Sequence, residues 1–439
     1  MGVVQFNFSG DVVMFEIEGH LGVRDNHLFI GGVDAVDLVG EYGSPLFVTN
    51  EERLRENYRR YQRAFPDTDV YYAAKANGNL TILRILAEEG AGADVFSGGE
   101  LYMALLAGIS SDRILFNGNS KTDQELRYAL QTGVRVSVDS LDELKTLASF
   151  ARETGKVAEI AFRVNPDISP KTHPKIATGL STSKFGIPYT QVIEAYDTAK
   201  RIEGVKPVGI HCHIGSQIIE LTPFVETVNR MMDLVEQIDR LGVKLEFLDL
   251  GSGLGIPYKK DEHVPTPEDL ADAILPVWSE RSDAIGVHPR MILEPGRYIT
   301  GDTTVLLTRV NLVKEAHKRF VGVDAGFNLM IRQAMYGAYH HVLLANKADL
   351  PPMGLYTIAG PICESGDILA HDRELPPVEK DDIIAVLDVG AYGFSMSSQY
   401  NGRPRAAEIL ISHGRPYVIR EHETVCDLLA KQTLPPHLL

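Results

Sequence analysis

From about residue 45 to residue 300, short apolar runs alternate with longer segments of helical periodicity. Eight runs have strand character and end in polar or glycine residues: "VYYAAKAN", "GADVFSGGE", "RILFNGNSK", "VRVSVDS", "IAFRVNPD", "VGIHCHIGSQ", "LEFLDLGSGLG" and "RMILEPGR". Between them lie segments such as "NLTILRILAEEG", "DELKTLASFARETG" and "TPFVETVNRMMDLVEQIDRLG". The last carries apolar residues at i, i+3, i+4 and i+7, the stripe of an amphipathic helix. Eight such alternations over roughly 250 residues predict an α/β fold, a (β/α)8 TIM-like barrel. The rival is an open doubly wound sheet, which calls for a G-x-G-x-x-G turn after its first strand. Here the glycine-rich turn follows the seventh run. Lys75, Asp94, Asn117, Asp139, Arg163, His211 with His213, Asp249 and Glu294 all fall at or near the C-terminal ends of their runs. That rim is where barrels assemble active sites.

Beyond residue 300 the pattern changes. "TTVLLTRVNLVKEA", "RFVGVDAG", "YTIAGPICESGDILA", "DIIAVLDVGAYG" and "AAEILI" are strand-like, with turns rather than long helices between them. The first 40 residues, with "HLFIGGVDAVDLVGEYG", are also β-rich. The expected organisation is a barrel over 45–300 and a discontinuous, mostly antiparallel β-sandwich or barrel domain formed by 1–44 with 301–439.

Composition narrows the function classes. The chain has 439 residues, 44% of them hydrophobic and 23% charged, as in an ordinary soluble globular protein with a sizeable core. With 43 basic against 59 acidic residues the net charge is −16, which argues against nucleic acid or an anionic membrane as partner. Three cysteines, Cys212, Cys363 and Cys426, are widely spaced with no CxxC pair, so no disulfide framework or structural metal is expected. "MGVVQFNFSG" lacks a basic, then apolar, leader pattern, and Phe6 stands where a myristoylation signal wants Ser or Thr. No run is long enough to span a bilayer. A cytoplasmic protein is the expectation.

Individual residues leave alternatives open. Lys75 ends an apolar run: either its ammonium snorkels outward, or it is desolvated enough to attack a carbonyl as a free amine. Gly251, Gly253 and Gly255 in "LDLGSGLG" form either a plain tight turn or a backbone cradle for an anion. Arg297 in "EPGRYI" is a suitable second phosphate ligand. Glu294 in the same motif needs a cationic partner, either a protonated pyridine nitrogen or an arginine such as Arg163. His211 and His213 share one face of their strand, which invites a metal hydrolase or a ring stacked on a planar cofactor. Further metal ligands are not evident in the sequence. Nothing local decides between an inert and a reactive Cys363.

Taken in order, "YYAAKAN", "GADVFSGGEL", "NPDISPKTHPKIATGLSTSKFGI", "GIHCHIGSQ", "LDLGSGLGI", "EPGRYI", "DAGFNLMIRQAMYGAYH", "GPICESGDIL" and "DVGAYGFSMSSQYNGRPRAAEIL" resemble the barrel-type (fold type III) pyridoxal-phosphate-dependent decarboxylases, and within them the branch acting on diaminopimelate. The resemblance covers nearly the whole chain. It implies pyridoxal 5'-phosphate as cofactor and decarboxylation of meso-2,6-diaminopimelate to L-lysine and CO2. It matches Lys75 to the lysine that carries the cofactor and His213 to the histidine stacked on its ring. Glu294 matches the carboxylate on the ring nitrogen, with Asp94 also lining the cofactor. Ser216, Gly251, Gly253, Gly296, Arg297 and Tyr392 match the phosphate cradle. Arg297, Arg332, Tyr336, Glu364 and Tyr392 match substrate-binding groups, and Cys363 the thiol that reprotonates the product. It also implies a homodimer with shared active sites, because the Cys-Glu segment crosses to the partner. Ser252 replaces the middle glycine of the family's usual Gly-Gly-Gly turn but still presents its backbone N–H. Glu364 after the cysteine favours diaminopimelate over ornithine or arginine, since that branch usually places an aspartate there. The competing expectations are a relative acting on another diamino acid or polyamine precursor, and a pyridoxal-phosphate-binding regulator without turnover.

Overall fold

The computed structural model describes residues 20–438 apart from 169, 171–172, 174–177, 179–182 and 260. The N-terminal stretch 1–19 and part of the 165–187 motif therefore lie outside the described residues. Two compact units are distinguished. One comprises Arg55–Ile256 with His263–Gly301. The other takes the described residues of Met1–Leu54, Pro257–Glu262 and Asp302–Leu439.

The first unit is the barrel. Its eight strands are Asp69–Ala73, Gly92–Val95, Ile114–Phe116, Arg135–Val138, Ala158–Asn165, Val205–Cys212, Phe247–Asp249 and Arg290–Leu293. Each pairs in parallel with the next, and the eighth closes on the first through Ile292 opposite Asp69 and Leu293 opposite Val70. All eight runs read from the sequence are strands. The intervening helices begin where the sequence supplies caps. Asn79, Ser97 and Ser140 each accept a backbone N–H of the first turn, and Thr122 with Glu125 forms a reciprocal capping box. Gly133 and Gly155 close two of them in the left-handed conformation. The barrel is a filled core: Tyr71, Leu115, Ala161, Val208, Phe247 and Ile292 pack together from six strands. Gly209 makes room for this, since a Cβ there would sit 2.2 Å from the Phe247 ring.

The second unit is built on a mostly antiparallel sheet. Its longest strand, Thr304–Glu315, pairs antiparallel with Arg319–Val323, Ile383–Val386 and Leu46–Asn50. Leu46–Asn50 lies at the start of the span expected for the barrel. It belongs to this sheet, where it also runs parallel to Ala407–Ser412. The sheet is covered on both faces. Phe47 and Leu306 enter one apolar cluster, while Leu46, Val48, Val305 and Leu307 enter another. Burial on both sides explains why these strands read as unbroken apolar runs, as barrel strands do.

Candidate active site

The C-terminal ends of the barrel strands bring together a buried polar cluster. Asn117 at the end of the third strand is the hub: its Nδ2 donates to Asp94 Oδ1 at 2.7 Å and to Glu294 Oε1 at 2.6 Å. His211 Nε2 lies 3.5 Å from Glu294 Oε2, and His211 Nδ1 sits 2.9 Å from Ser137 Oγ. Asp249 Oδ1 accepts the Gly251 N–H at 2.8 Å, and the Glu294 N–H donates to Gly251 O at 2.7 Å, which ties the loops after the seventh and eighth strands together. Asn117, His211, Asp94 and Asp249 are wholly buried, and Glu294 nearly so.

Three acids in one dry cluster cannot all ionise. Burial and the neighbouring Glu294 push the Asp249 carboxyl far up. Burial and Glu294 also raise Asp94, against the pull of Lys75 and Asn117. Burial pushes Glu294 up as well, but His211 and Lys75 outweigh it and hold its carboxyl well below the usual range. Of the three, Glu294 is the carboxyl held lowest, while Asp94 is met by the Lys75 ammonium. Among the described residues Arg163 makes no close ion pair with Glu294: the two feel each other's charge, but the guanidinium lies over the Phe185 ring at 4.5 Å. Burial, Lys75 and Arg163 drive the His213 ring well below its ordinary value, so it is neutral, with Nδ1 accepting the Ser252 N–H at 3.3 Å.

Lys75 sits in a short 3-10 turn, Ala74–Ala76, directly after the first strand. Its ammonium pairs with Asp94 Oδ2 and lies 4.8 Å from the centre of the Phe96 ring. It is about a quarter exposed, neither sealed in the core nor free in solvent. Gly296 packs against this turn, where a Cβ would come within 3.0 Å of Ala73 Cβ and Ala76 Cβ.

The glycine loop is a tight crossing. Gly251 (φ +65°) and Gly253 (φ +120°) have backbone that L side chains avoid. A Cβ at Gly253 would fall 2.1 Å from Gly215 O, and one at Gly251 would fall 2.6 Å from His213 Nδ1. Next to Gly215, Ser216 Oγ takes hydrogen bonds from the buried Arg297, Nη2 at 3.0 Å and Nε at 3.3 Å. Gln217 clamps the far side of the loop: its amide donates to Ile256 O at 2.7 Å and accepts the Ile256 N–H at 3.3 Å.

These features test whether a pyridoxal phosphate fits. Asn117 Oδ1 is buried with no hydrogen-bond partner, and His211 Nε2 and Asp249 Oδ2 have only the neighbouring Glu294 to face; such poorly met atoms call for an occupant. They surround an ionised carboxylate, which suits a protonated ring nitrogen. The glycine crossing with Ser216 and Arg297 suits a phosphate. The residues present fit the group. The ligand-type atoms of His211, Asp249 and Glu294 lie within 4.8 Å of one another, and His213 is outside that set. The His-x-His pair read from the sequence is thus split between two tasks.

The remaining sequence-derived residues belong to the β-rich unit. Arg332 is buried at the start of a short helix, Arg332–Tyr336, with partly exposed Tyr336 at its end. Tyr392 adopts φ +58°, rare for an aromatic residue. Cys363 and Glu364 are exposed, yet ordered by neighbours the sequence reading did not single out. Asn401 Oδ1 accepts the Cys363 N–H at 2.9 Å and its Nδ2 donates to Cys363 Sγ at 3.2 Å. The Tyr400 hydroxyl donates to Glu364 Oε1 at 2.8 Å, and its ring stacks on Phe327 at 5.8 Å. Glu364 and Cys363 together push the Tyr400 hydroxyl up to about 12. Asp367 anchors the loop by accepting the N–H groups of Phe327 (2.6 Å) and Ile362 (2.7 Å).

Residues 51–301 match the family model described as the pyridoxal binding domain of pyridoxal-dependent decarboxylases. The chain is 57% identical over 415 residues to the diaminopimelate decarboxylase of Archaeoglobus fulgidus, covering 94% of this chain and 99% of that one. Among solved structures, the diaminopimelate decarboxylase of M. jannaschii in complex with L-lysine superposes with a TM-score of 0.91 at 44% identity, over 95% of this chain and 99% of that one. The Helicobacter pylori diaminopimelate decarboxylase complexed with L-lysine gives 0.85 at 37% identity, over 90% and 98%. The chain belongs to the pyridoxal-dependent decarboxylases, in the diaminopimelate decarboxylase family.

Proposed function

We propose that this chain uses pyridoxal 5'-phosphate to convert meso-2,6-diaminopimelate to L-lysine and CO2. The observation that carries the reading is the barrel cluster, in which the Glu294 carboxyl is held low beside a buried Asn117 Oδ1 that has no hydrogen-bond partner. When bound, the pyridoxal ring supplies an electron sink for the pair of electrons left by departing CO2. Lys75 would hold the cofactor covalently, Glu294 would keep its ring nitrogen protonated, and His213 would lie on its face. Ser216, Gly251, Gly253, Gly296, Arg297 and Tyr392 are assigned to the phosphate. Lys75 already pairs with Asp94, so the chain holds an acceptor ready for a proton from that amine.

The substrate has an amino-acid group at each end. Arg332 suits the distal carboxylate and Glu364 the distal ammonium, with Tyr336, Tyr392 and Arg297 also assigned to substrate. Cys363 is assigned the proton delivered to the α-carbon. Asn401 and Tyr400 support this reading, because they order a thiol and a carboxylate that would otherwise be loose surface groups. An exposed but braced Cys-Glu loop also supports a homodimer in which that loop serves the partner's site. Among the described residues no helix is long and apolar enough to cross a membrane, and we place the enzyme in the cytoplasm.

The test is CO2 release measured in parallel on meso-diaminopimelate, lysine, ornithine and arginine. A site built to pair two distal charges should favour diaminopimelate by about 10³-fold or more. Comparable turnover of ornithine would overturn the substrate assignment. Lys75→Ala should bind the cofactor without the borohydride-reducible link seen in the wild type. Labelling that persists at the original peptide would show that another lysine carries it.

A further inference from the structure

We propose that His340 is a positioning residue for substrate recognition: it orients the Arg332 guanidinium without neutralising it. The inference rests on the assignment of Arg332 to the distal carboxylate. Arg332 Nη1 lies 2.6 Å from His340 Nε2, and His340 Nδ1 lies 2.9 Å from Leu387 O. Both side chains are buried, His340 completely.

The partners fix the state of the ring. A guanidinium only donates, so Nε2 accepts; a carbonyl oxygen only accepts, so Nδ1 carries the proton. His340 is a neutral imidazole in a single tautomer. The Tyr258 ring packs edge-on against it, with centroids 5.1 Å apart, and the Arg332 guanidinium carbon stands 4.7 Å over the same Tyr258 ring. Local sequence produces the arrangement. The helix from Arg332 stops at Gly337, which takes φ +62°, and the chain turns back so that the residue eight positions on meets Arg332. Arg373 braces the turn by donating to His340 O at 3.4 Å.

A carboxylate at position 340 would orient the guanidinium equally well, but it would consume the charge that a substrate carboxylate needs. A neutral acceptor fixes direction without itself taking up the charge. His340 therefore acts on binding of the far end of the substrate, through Arg332, and not on the reacting carbon.

Two replacements separate this role from simple packing. His340→Asn keeps an amide N–H for Leu387 O but is too short to reach Arg332. His340→Gln places an amide oxygen near the Nε2 position. We expect His340→Asn to raise KM for meso-diaminopimelate about 10-fold or more. The value of kcat, the cofactor absorbance and cofactor loading should change little, and His340→Gln should recover most of the KM. Equal KM values for wild type and His340→Asn would overturn the proposal. So would a fall in kcat or loading at unchanged KM, or a Gln variant no better than Asn. Arg332→Gln measured alongside isolates the underlying reading. If its KM is native, Arg332 is not the carboxylate ligand; if it is raised while His340→Asn is native, only the role of His340 fails.

Discussion

The groups assigned to the cofactor and those assigned to the substrate differ in how their polar atoms are met. At the barrel rim, Asn117 Oδ1 is buried and unmatched, and His211 Nε2 and Asp249 Oδ2 have only Glu294 to face. In the β-rich unit the assigned groups are matched by neighbours: Arg332 by His340, Cys363 by Asn401 and Glu364 by Tyr400. An unmatched buried atom costs about 1–3 kcal/mol, and a fold that leaves three poorly met atoms together is incomplete without an occupant. The matched groups of the β-rich unit need no occupant to stay in place. The difference is what the proposed division predicts, between groups that hold a resident cofactor and groups that meet a substrate.

The largest expected effect breaks the barrel side of this contrast. Glu294→Gln keeps a hydrogen-bonding side chain but removes the carboxylate assigned to the ring nitrogen, so kcat should fall by roughly 10²-fold or more, read as CO2 release at saturating substrate. KM should move far less, because the groups assigned to the distal end of the substrate are untouched. Stripping the cofactor should lower the melting temperature of the wild type by mass-action linkage, and by less in Glu294→Gln. An apo protein as stable as the holo form would mean that these poorly met atoms do not belong to the cofactor.

On the β-rich side the effects are smaller and differ in kind. Cys363→Ala should slow product formation by roughly 10²-fold, the usual worth of a positioned proton donor, with cofactor loading and absorbance unchanged. Asn401→Ala leaves the thiol in place and removes one hydrogen bond to its sulfur and one from the Cys363 backbone N–H, so the loss should be nearer 10-fold. If Asn401→Ala equals Cys363→Ala in rate, the loop has collapsed, and a change in the proteolysis rate at residues 360–367 would reveal it. If Asn401→Ala is silent, the thiol is aimed by something else.

How much of this was legible beforehand follows the same division. Every barrel strand could be read, because a strand that is buried and ends at the rim leaves a local mark: an apolar run stopped by a polar or glycine residue. Lys75, Asp94, Asn117, Asp249 and Glu294 were found that way. Their charge states were not legible, because these depend on which acids share one dry space, and residues 94, 249 and 294 are distant in the chain. Ser137 behind His211 carried no signal at all. In the β-rich unit Arg332, Cys363 and Glu364 were reached through family resemblance, whereas His340, Tyr400 and Asn401 were not singled out. Their partners lie 8, 36 and 38 residues away on turns without periodicity. Leu46–Asn50 shows the converse ambiguity, since a strand buried on both faces looks the same in a barrel and in a covered sheet.

The smallest effect concerns an acid that the β-rich unit does leave in an unfavourable state. Asp388 has φ +59°, and burial together with the nearby Asp302 pushes its carboxyl up to about 8, against the pull of Arg53 and Arg332. An aspartate in the unfolded chain titrates near 3.9. Between about pH 4 and pH 8 the folded chain therefore keeps a proton that the unfolded chain has released, so stability falls as pH rises across that window and levels off above it. Asparagine has nearly the same shape, tolerates the left-handed backbone and does not titrate. Asp388→Asn should therefore raise the melting temperature at pH 8 by a few degrees, on the order of 1–3 kcal/mol, and the gain should shrink as the pH is lowered toward 4. A gain that is the same at both pH values would come from packing or backbone preference. A loss at pH 8 would mean that the ionised carboxylate, paired with Arg53 or Arg332, is what the fold uses.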